Sequence, residues 1–194
     1  MDSNSSDSNS NSHSHVILFP FMSKGHTIPL LNLAHLLLHR FQNLSITIFT
    51  TKSNHPFISQ YLNSHTDSIS IIDLPFPQEI PGIPIGIENT ENLPSNSLLP
   101  DFFMSTKSMQ QDFERELQRL LPRIAFLISD HFLWWTSESA SKFGVPRFSF
   151  SGMSNYTGAI TGSVLKNRLL SGPELENELI MVSDFPWIKV TKND

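Results

Sequence analysis

Short runs of apolar residues alternate with amphipathic stretches along most of this chain. The apolar runs are rich in β-branched and aromatic residues, which predicts buried strands at 15–21, 45–51, 68–76, 124–129 and 146–150. Apolar residues at helical spacing predict helices at 28–41, 55–63, 101–121, 134–143 and 155–170. A sixth strand is predicted at 179–182, and the tail 185–194 shows no closing element.

Strands that alternate with helices, and that are apolar without interruption, are typical of a parallel sheet covered on both faces. We therefore predict an α/β fold, a Rossmann-like parallel sheet with helices on both faces. In such sheets ligands bind at the carboxyl edge of the strands, beside the point where the strand order reverses. The residues directly after the first, fourth and fifth strands are thus the candidates for chemistry.

Two segments differ from this pattern. Residues 1–14 are rich in Ser and Asn and offer nothing to bury, so we predict a disordered tail ahead of one domain over 15–194. Residues 75–100 carry six prolines, a density that supports neither a helix nor a central strand. A loop of that length inside a compact domain is usually functional.

Composition excludes several classes of function. The net charge is −5 and no basic run is present, which argues against nucleic acid or an anionic membrane as partner. No stretch approaches the roughly 18 apolar residues of a membrane span. The absence of cysteine excludes disulfides, thiolate metal sites and a cysteine nucleophile. We expect a cytoplasmic protein.

The turn after the first strand contains a single glycine, Gly25, followed by His26. A dinucleotide fingerprint would need three glycines at this point, and no phosphate loop is present either. A histidine here opens the first helix at the mouth of the expected crevice, and histidine suits a general base because it titrates near neutral pH. The alternative is a histidine that merely packs at the start of a helix.

Asp130 follows the fourth strand and is the second candidate. The first and fourth strands are neighbours in the usual strand order, so its carboxylate and the His26 ring should meet at one edge. A carboxylate that accepts the imidazole N–H fixes the tautomer and stabilises the imidazolium. The alternative is an aspartate that caps the next helix. His35 and His39 have the spacing of a metal pair, but no helical carboxylate joins them, and we predict no metal site.

The segments that should surround the expected crevice can also be placed. The turn at Met22, the loop 81–93, Phe132 after the fourth strand, and Met153 to Tyr156 after the fifth should converge near His26. A mostly apolar pocket with few polar groups would suit a flat aromatic ligand. The backbone from Gly25 to Thr27 would offer N–H groups to a diphosphate.

Four motifs in this order resemble one family, the plant UDP-dependent small-molecule glycosyltransferases. The resemblance covers essentially all of residues 14–194. Its motifs are Gly25-His26-Thr27-Ile28-Pro29; Gly82-Ile83-Pro84 with Gly86-Ile87-Glu88-Asn89-Thr90; Ile128-Ser129-Asp130 before Trp134-Trp135-Thr136, with Phe143-Gly144-Val145-Pro146; and Phe185-Pro186-Trp187.

The resemblance implies a two-domain enzyme in which this chain is the N-terminal, acceptor-binding half. His26 would be the catalytic base and Asp130 the acid that orients it. A hydroxyl of a phenolic or flavonoid-like acceptor would attack the anomeric carbon of a UDP-sugar, with glucose as the expected sugar, in one inverting displacement. The UDP-sugar is a co-substrate, and neither a metal nor a further cofactor is implied.

The chain departs from the family in one large respect. The family's donor-binding box contains a His-Cys-Gly-Trp-Asn-Ser run, whereas this chain has no cysteine and no histidine beyond His131. We therefore expect the domain to be incomplete at its C-terminal end and inactive alone, with UDP-sugar bound only if the other half is supplied. The alternatives are a truncated, non-catalytic small-molecule binding module, or a flavodoxin-like or other Rossmann-like ligand-binding domain.

Overall fold

The computed structural model describes residues 14–62, 67–172 and 175–192, which fall into two compact units. The first unit extends to Gly152 and the second begins at Met153. The predicted domain over 15–194 therefore contains both units. Of the predicted disordered tail, only Ser14 is among the described residues, and it begins the first strand.

The first unit is built on a five-stranded parallel sheet in the order β3-β2-β1-β4-β5. The strand order reverses between β1 and β4, as expected for a Rossmann-like sheet. The predicted fold class is confirmed. The strands are β1 (Ser14–Phe19), β2 (Leu44–Thr51), β3 (Ile69–Leu74), β4 (Ile124–Asp130) and β5 (Arg147–Phe150).

Helices cover both faces of this sheet. One face packs against α1 and α2, and the other packs against α3, α4 and α5. Within the described part of the chain, no helix combines the length and apolar character needed to cross a membrane. The helices of this unit are α1 (Lys24–Arg40), α2 (His55–Tyr61), α3 (Leu99–Ser105), α4 (Gln110–Leu120) and α5 (Thr136–Phe143).

Helix α1 begins four residues before the predicted start, at Lys24 rather than residue 28, so His26 lies in its first turn. The side chains it buries are Thr27, Leu30, Leu31 and Ala34. The predicted stripe continued to residue 41, but the helix ends at Arg40 and the Phe41 side chain is exposed.

The single helix predicted over 101–121 is interrupted. A 3₁₀ turn at Thr106–Met109 separates α3 from α4. Thr106 is fully buried, where its hydroxyl donates to the Phe103 carbonyl at 2.8 Å and accepts from the Trp135 indole at 3.1 Å. Hydroxyl groups that bond to local carbonyls compete with regular helix, which explains the break.

An aromatic cluster anchors the carboxyl end of β1. The Phe19 ring lies 5.8 Å from Phe49, 5.5 Å from Phe113 and 5.9 Å from Trp135, and none of these four side chains has exposed surface. Aromatic side chains of this size contribute much of the burial in a core. The cluster holds β1 rigidly at the point where the chain leaves the sheet towards His26.

The second unit contains α6 (Asn155–Lys166) and a two-stranded antiparallel hairpin. Its strands are β6 (Ile180–Val182) and β7 (Phe185–Val190). The predicted sixth strand therefore pairs with the tail and does not join the parallel sheet. The expectation that 185–194 lacks a closing element was wrong, because a tight turn at Ser183 and Asp184 allows the chain to pair with itself.

Candidate active site

The carboxyl ends of β1 and β4 bring His26 and Asp130 together. Nδ1 of His26 lies 2.7 Å from Oδ2 of Asp130, so the expected hydrogen bond is present. The Asp130 side chain has no exposed surface, and that of His26 is 13% exposed. A buried carboxylate facing Nδ1 holds the ring proton on that nitrogen and leaves the lone pair on Nε2. This is the arrangement that a general base requires.

Asp130 is itself held in place from two directions. Its Oδ1 accepts a hydrogen bond from the backbone N–H of Phe132 at 2.9 Å. From β5, the Arg147 side chain donates to the hydroxyls of Ser129 and Thr136 and reaches within 3.5 Å of the Asp130 carbonyl. Burial lowers the pKa of the Arg147 guanidinium, and the negative charge of Asp130 opposes that shift. The end of β4 is therefore fixed by hydrogen bonds and by charge.

Aromatic side chains flank the His26 ring. The Phe132 ring lies 5.0 Å from it and the Phe21 ring 5.7 Å, measured between centroids. The centroids of these two apolar rings lie 5.2 Å from each other, so both pack against the same side of the imidazole and limit its positions there. Nδ1 is occupied by Asp130, so Nε2 is the nitrogen available to a ligand.

Gly152, in the turn after β5, approaches the same ring closely. A Cβ added at Gly152 would lie 3.0 Å from His26 Nδ1, 3.1 Å from its Cγ and 3.2 Å from the Gly25 carbonyl oxygen. A side chain at this position would be tight, so the His26 ring or the turn at Gly25 would have to shift by a few tenths of an ångström. The sequence pattern did not indicate this contact, since the close approach exists only once the turn after β5 meets the first turn of α1.

We predict that Gly152→Ala displaces His26. The added methyl group forces the imidazole away from Asp130, and overpacking of this kind costs about 1–3 kcal/mol of stability. The variant should be less stable in urea unfolding, and the His26 ring N–H signal seen by NMR should be lost. Gly158→Ala is the matched control, because a Cβ there meets nothing within 4 Å and lies in helix α6. An unchanged ring N–H signal in Gly152→Ala would contradict the assigned role.

A cavity of about 280 Å³ adjoins His26 at this edge. The loop 75–100, which was predicted to be functional, supplies one side of this cavity and is hydrogen-bonded to the turn after β1. The Thr90 N–H donates to the Met22 carbonyl at 3.0 Å, and the Glu91 carboxylate accepts from the Lys24 N–H at 2.6 Å. The residues that line the cavity are Phe21, Ser23, His26, Thr90, Glu91, Asn96, Leu99 and Phe132.

The structure brings some of the predicted acceptor residues to this cavity and not others. Phe132 lines it, as does part of the loop 81–93. Met22 does not line the cavity, whereas the preceding residue Phe21 does, and both side chains are buried in the same core cluster. Met153 and Tyr156 belong to the second unit, so a role for them beside His26 stays a prediction.

Part of the backbone proposed to meet a diphosphate already has a partner, because the N–H groups of His26 and Thr27 donate to the Ser23 carbonyl at 3.0 and 2.8 Å. The Thr27 side chain is buried and its hydroxyl donates to the Phe21 carbonyl at 3.2 Å. The Glu91 carboxylate accepts a hydrogen bond from the Lys24 N–H, next to Gly25, and its negative charge complements the positive end of the α1 dipole. These contacts are structural, and a donor-proximal role for Gly25 and Thr27 stays a prediction.

A larger cavity, of about 640 Å³, lies at the opposite, amino edge of the sheet. Its lining includes Arg40, Phe41 and Phe126, without the paired acid and imidazole found at the carboxyl edge. We assign the chemistry to the smaller cavity, because His26 and Asp130 lie there. Across residues 14–62, 67–172 and 175–192, no three His, Asp or Glu side chains are grouped so as to hold a metal ion.

Comparison with known proteins gives a consistent set of relatives, although no family model matches the chain. UDP-glycosyltransferase 90A1 of Arabidopsis thaliana is 53% identical over 184 residues, which is 92% of this chain and 38% of that protein. Scopoletin glucosyltransferase of Nicotiana tabacum is 35% identical over 178 residues, covering 90% of this chain and 37% of that protein. The chain thus spans less than two fifths of the length of these relatives.

Solved structures of plant glycosyltransferases share the fold of this chain. Arabidopsis thaliana UGT89C1 complexed with quercetin is 27% identical, with a TM-score of 0.64, over 70% of this chain and 34% of that one. The same protein complexed with UDP-L-rhamnose also gives a TM-score of 0.64, at 27% identity over 71% of this chain and 36% of that one.

Proposed function

Since the chain belongs by sequence to the plant UDP-glycosyltransferases, we propose that it is the acceptor-binding part of an enzyme that transfers a sugar from a UDP-sugar to a hydroxyl group. The observation that carries the proposal is the hydrogen-bonded pair of His26 and buried Asp130 beside a cavity at the carboxyl edge of the sheet. A Rossmann-like sheet binds ligands at that edge.

In the proposed reaction His26 acts as general base. Its Nε2 takes the proton of the acceptor hydroxyl while the oxygen attacks the anomeric carbon of the sugar. The bond from that carbon to the UDP oxygen breaks, UDP leaves with the electron pair, and the configuration inverts. Asp130 stabilises the imidazolium that forms and keeps the ring in one tautomer. No metal or further cofactor takes part, and the UDP-sugar is consumed as co-substrate.

For the acceptor we propose a phenolic or flavonoid-like small molecule. The aromatic side chains Phe21 and Phe132 beside His26 suit a flat ring. One relative is a scopoletin glucosyltransferase, and one structurally similar protein was solved in complex with quercetin. Glucose is the proposed sugar. UDP-L-rhamnose, found with a structural neighbour, is the donor to test beside it. We also propose a cytoplasmic location and no nucleic-acid partner, on the cysteine-free composition and the net charge of −5.

A second candidate is a small-molecule binding module that does not transfer sugar. The observation that favours it is the cavity of about 280 Å³ beside His26, which could hold a small molecule without any transfer. Under both proposals the cavity at His26 binds the acceptor. The two differ in whether a donor-binding part completes the site.

Supplying the remaining part of UDP-glycosyltransferase 90A1 to this chain tests the first proposal. A fusion of the two, mixed with UDP-glucose or UDP-L-rhamnose and a panel of phenols, should give glycoside detectable by mass spectrometry. The product should carry the inverted anomeric configuration. A folded fusion that binds UDP and the phenols but forms no glycoside would favour the binding module.

A further inference from the structure

A second imidazole lies beside the pair of His26 and Asp130. His131 follows Asp130 directly, and its backbone N–H donates to the Phe150 carbonyl at 2.8 Å, which fixes it against β5. Its ring centroid is 6.2 Å from that of His26 and 4.2 Å from that of Phe132. His131 does not line the cavity of about 280 Å³, but its ring lies close enough to His26 for one small molecule to reach both, and the proposed reaction gives it no role.

The two ring nitrogens of His131 have different surroundings. Nδ1 is buried, makes no hydrogen bond and lies 3.5 Å from Oδ1 of Asp130. The side chain as a whole is 31% exposed, so its exposed surface belongs to the other ring atoms. Nδ1 thus faces the carboxylate, and the far side of the ring faces outward.

The charge of Asp130 decides which nitrogen carries the proton. A lone pair on Nδ1 would point at a negative oxygen in a buried setting, where charge interactions are stronger than in water. An N–H group at that position is attracted instead, even without the geometry of a hydrogen bond. A neutral His131 therefore carries its proton on Nδ1, and Nε2 carries the lone pair.

From this arrangement we propose that His131 determines acceptor specificity, by accepting at Nε2 a hydrogen bond from a second hydroxyl of a polyhydroxylated acceptor. The inference rests on the proposed function, in which a first hydroxyl faces His26. Asp130 then fixes the tautomers of both rings, and the site presents two imidazole lone pairs on neighbouring side chains. An acceptor with a single hydroxyl would satisfy only one of them.

The tautomer is measured first, on the 194-residue chain with ¹⁵N-labelled histidine. At mildly alkaline pH we expect His131 to show a protonated Nδ1 and an unprotonated Nε2, the reverse of the preference of free histidine. The Asp130→Asn variant should relax His131 towards the ordinary tautomer. A protonated Nε2 in the unaltered chain would overturn the proposal, and this result does not depend on whether the chain binds or transfers anything.

Specificity is measured by calorimetry with three flavonols: 3-hydroxyflavone, which has one hydroxyl, and 3,7-dihydroxyflavone and 3,4′-dihydroxyflavone, which each add a second. Affinity for the unaltered chain should rise roughly 2- to 10-fold with a hydroxyl that reaches His131. His131→Asn keeps an N–H towards Asp130 but lacks the acceptor at Nε2, and His131→Phe keeps only the flat ring. Both should bind all three flavonols about equally, whereas the exposed control His39→Asn should keep the difference.

The outcomes separate the inference from the proposed function. Binding that does not depend on the added hydroxyls, or a dependence that survives in both His131 variants, would overturn the role of His131 alone. If none of the flavonols binds the unaltered chain, the acceptor-binding function itself has failed for this class and the inference falls with it.

Discussion

His26→Ala in the fusion described above should lower kcat by roughly 10²–10⁴-fold, the contribution expected of a general base. Acceptor affinity should change little, since Phe21 and Phe132 remain in the wall of the cavity. The loss arises because, among the residues that the structure describes, no other imidazole holds its Nδ1 at 2.7 Å from the buried carboxylate of Asp130. Steady-state kinetics with one phenol and a saturating UDP-sugar measure the effect.

Asp130→Asn is the companion variant, because it keeps the size of the side chain and removes its charge. It should lower kcat less steeply than the loss of His26, and the protein should stay folded. His39→Asn, on the exposed side of α1, is the control for loss of a histidine elsewhere in the chain. A fusion with alanine at position 26 that retains its full turnover would exclude His26 as the base.

The 194-residue chain by itself should transfer no sugar. Transfer requires the anomeric carbon to be held against the activated hydroxyl, and positioning of this kind accounts for roughly 7–11 kcal/mol of a barrier. The start of α1, the nearest anion-binding backbone, already carries the carboxylate of Glu91. We therefore expect no glycoside above background when the chain is incubated with UDP-glucose and a flavonol, followed by mass spectrometry.

The fusion serves as positive control in the same assay. Glycoside formed by the unfused chain and abolished by His26→Ala would contradict the prediction. It would mean that these residues alone hold both substrates.

The sequence predicted the sheet and the central pair of residues well, for a physical reason. Buried parallel strands are apolar without interruption, so the runs that became β1, β2 and β4 are evident in the sequence. Once these strands are placed in the usual order, Asp130 and His26 must come to one edge, and the structure has them hydrogen-bonded. The strand order itself could be predicted from the usual order of strands in α/β sheets.

What the sequence did not predict depends on contacts between distant segments. The close contact between Gly152 and His26 appears only when the turn after β5 meets the first turn of α1. The break between α3 and α4 follows from the bond of Thr106 to Trp135, 29 residues away. Phe21 lines the cavity where Met22 was predicted to do so, because the direction of a side chain after Pro20 depends on how the turn packs. Periodicity carries no information about such contacts.

We propose that this chain binds its acceptor at the carboxyl edge of the sheet, beside His26. The most direct measurement is a titration of ¹⁵N-labelled chain with quercetin, followed through its amide and imidazole signals. We expect saturable shifts at His26, Thr90, Glu91 and Phe132, which line the cavity there. Shifts confined to the opposite edge, around Phe41 and Phe126, would contradict the claim, as would the absence of any saturable shift.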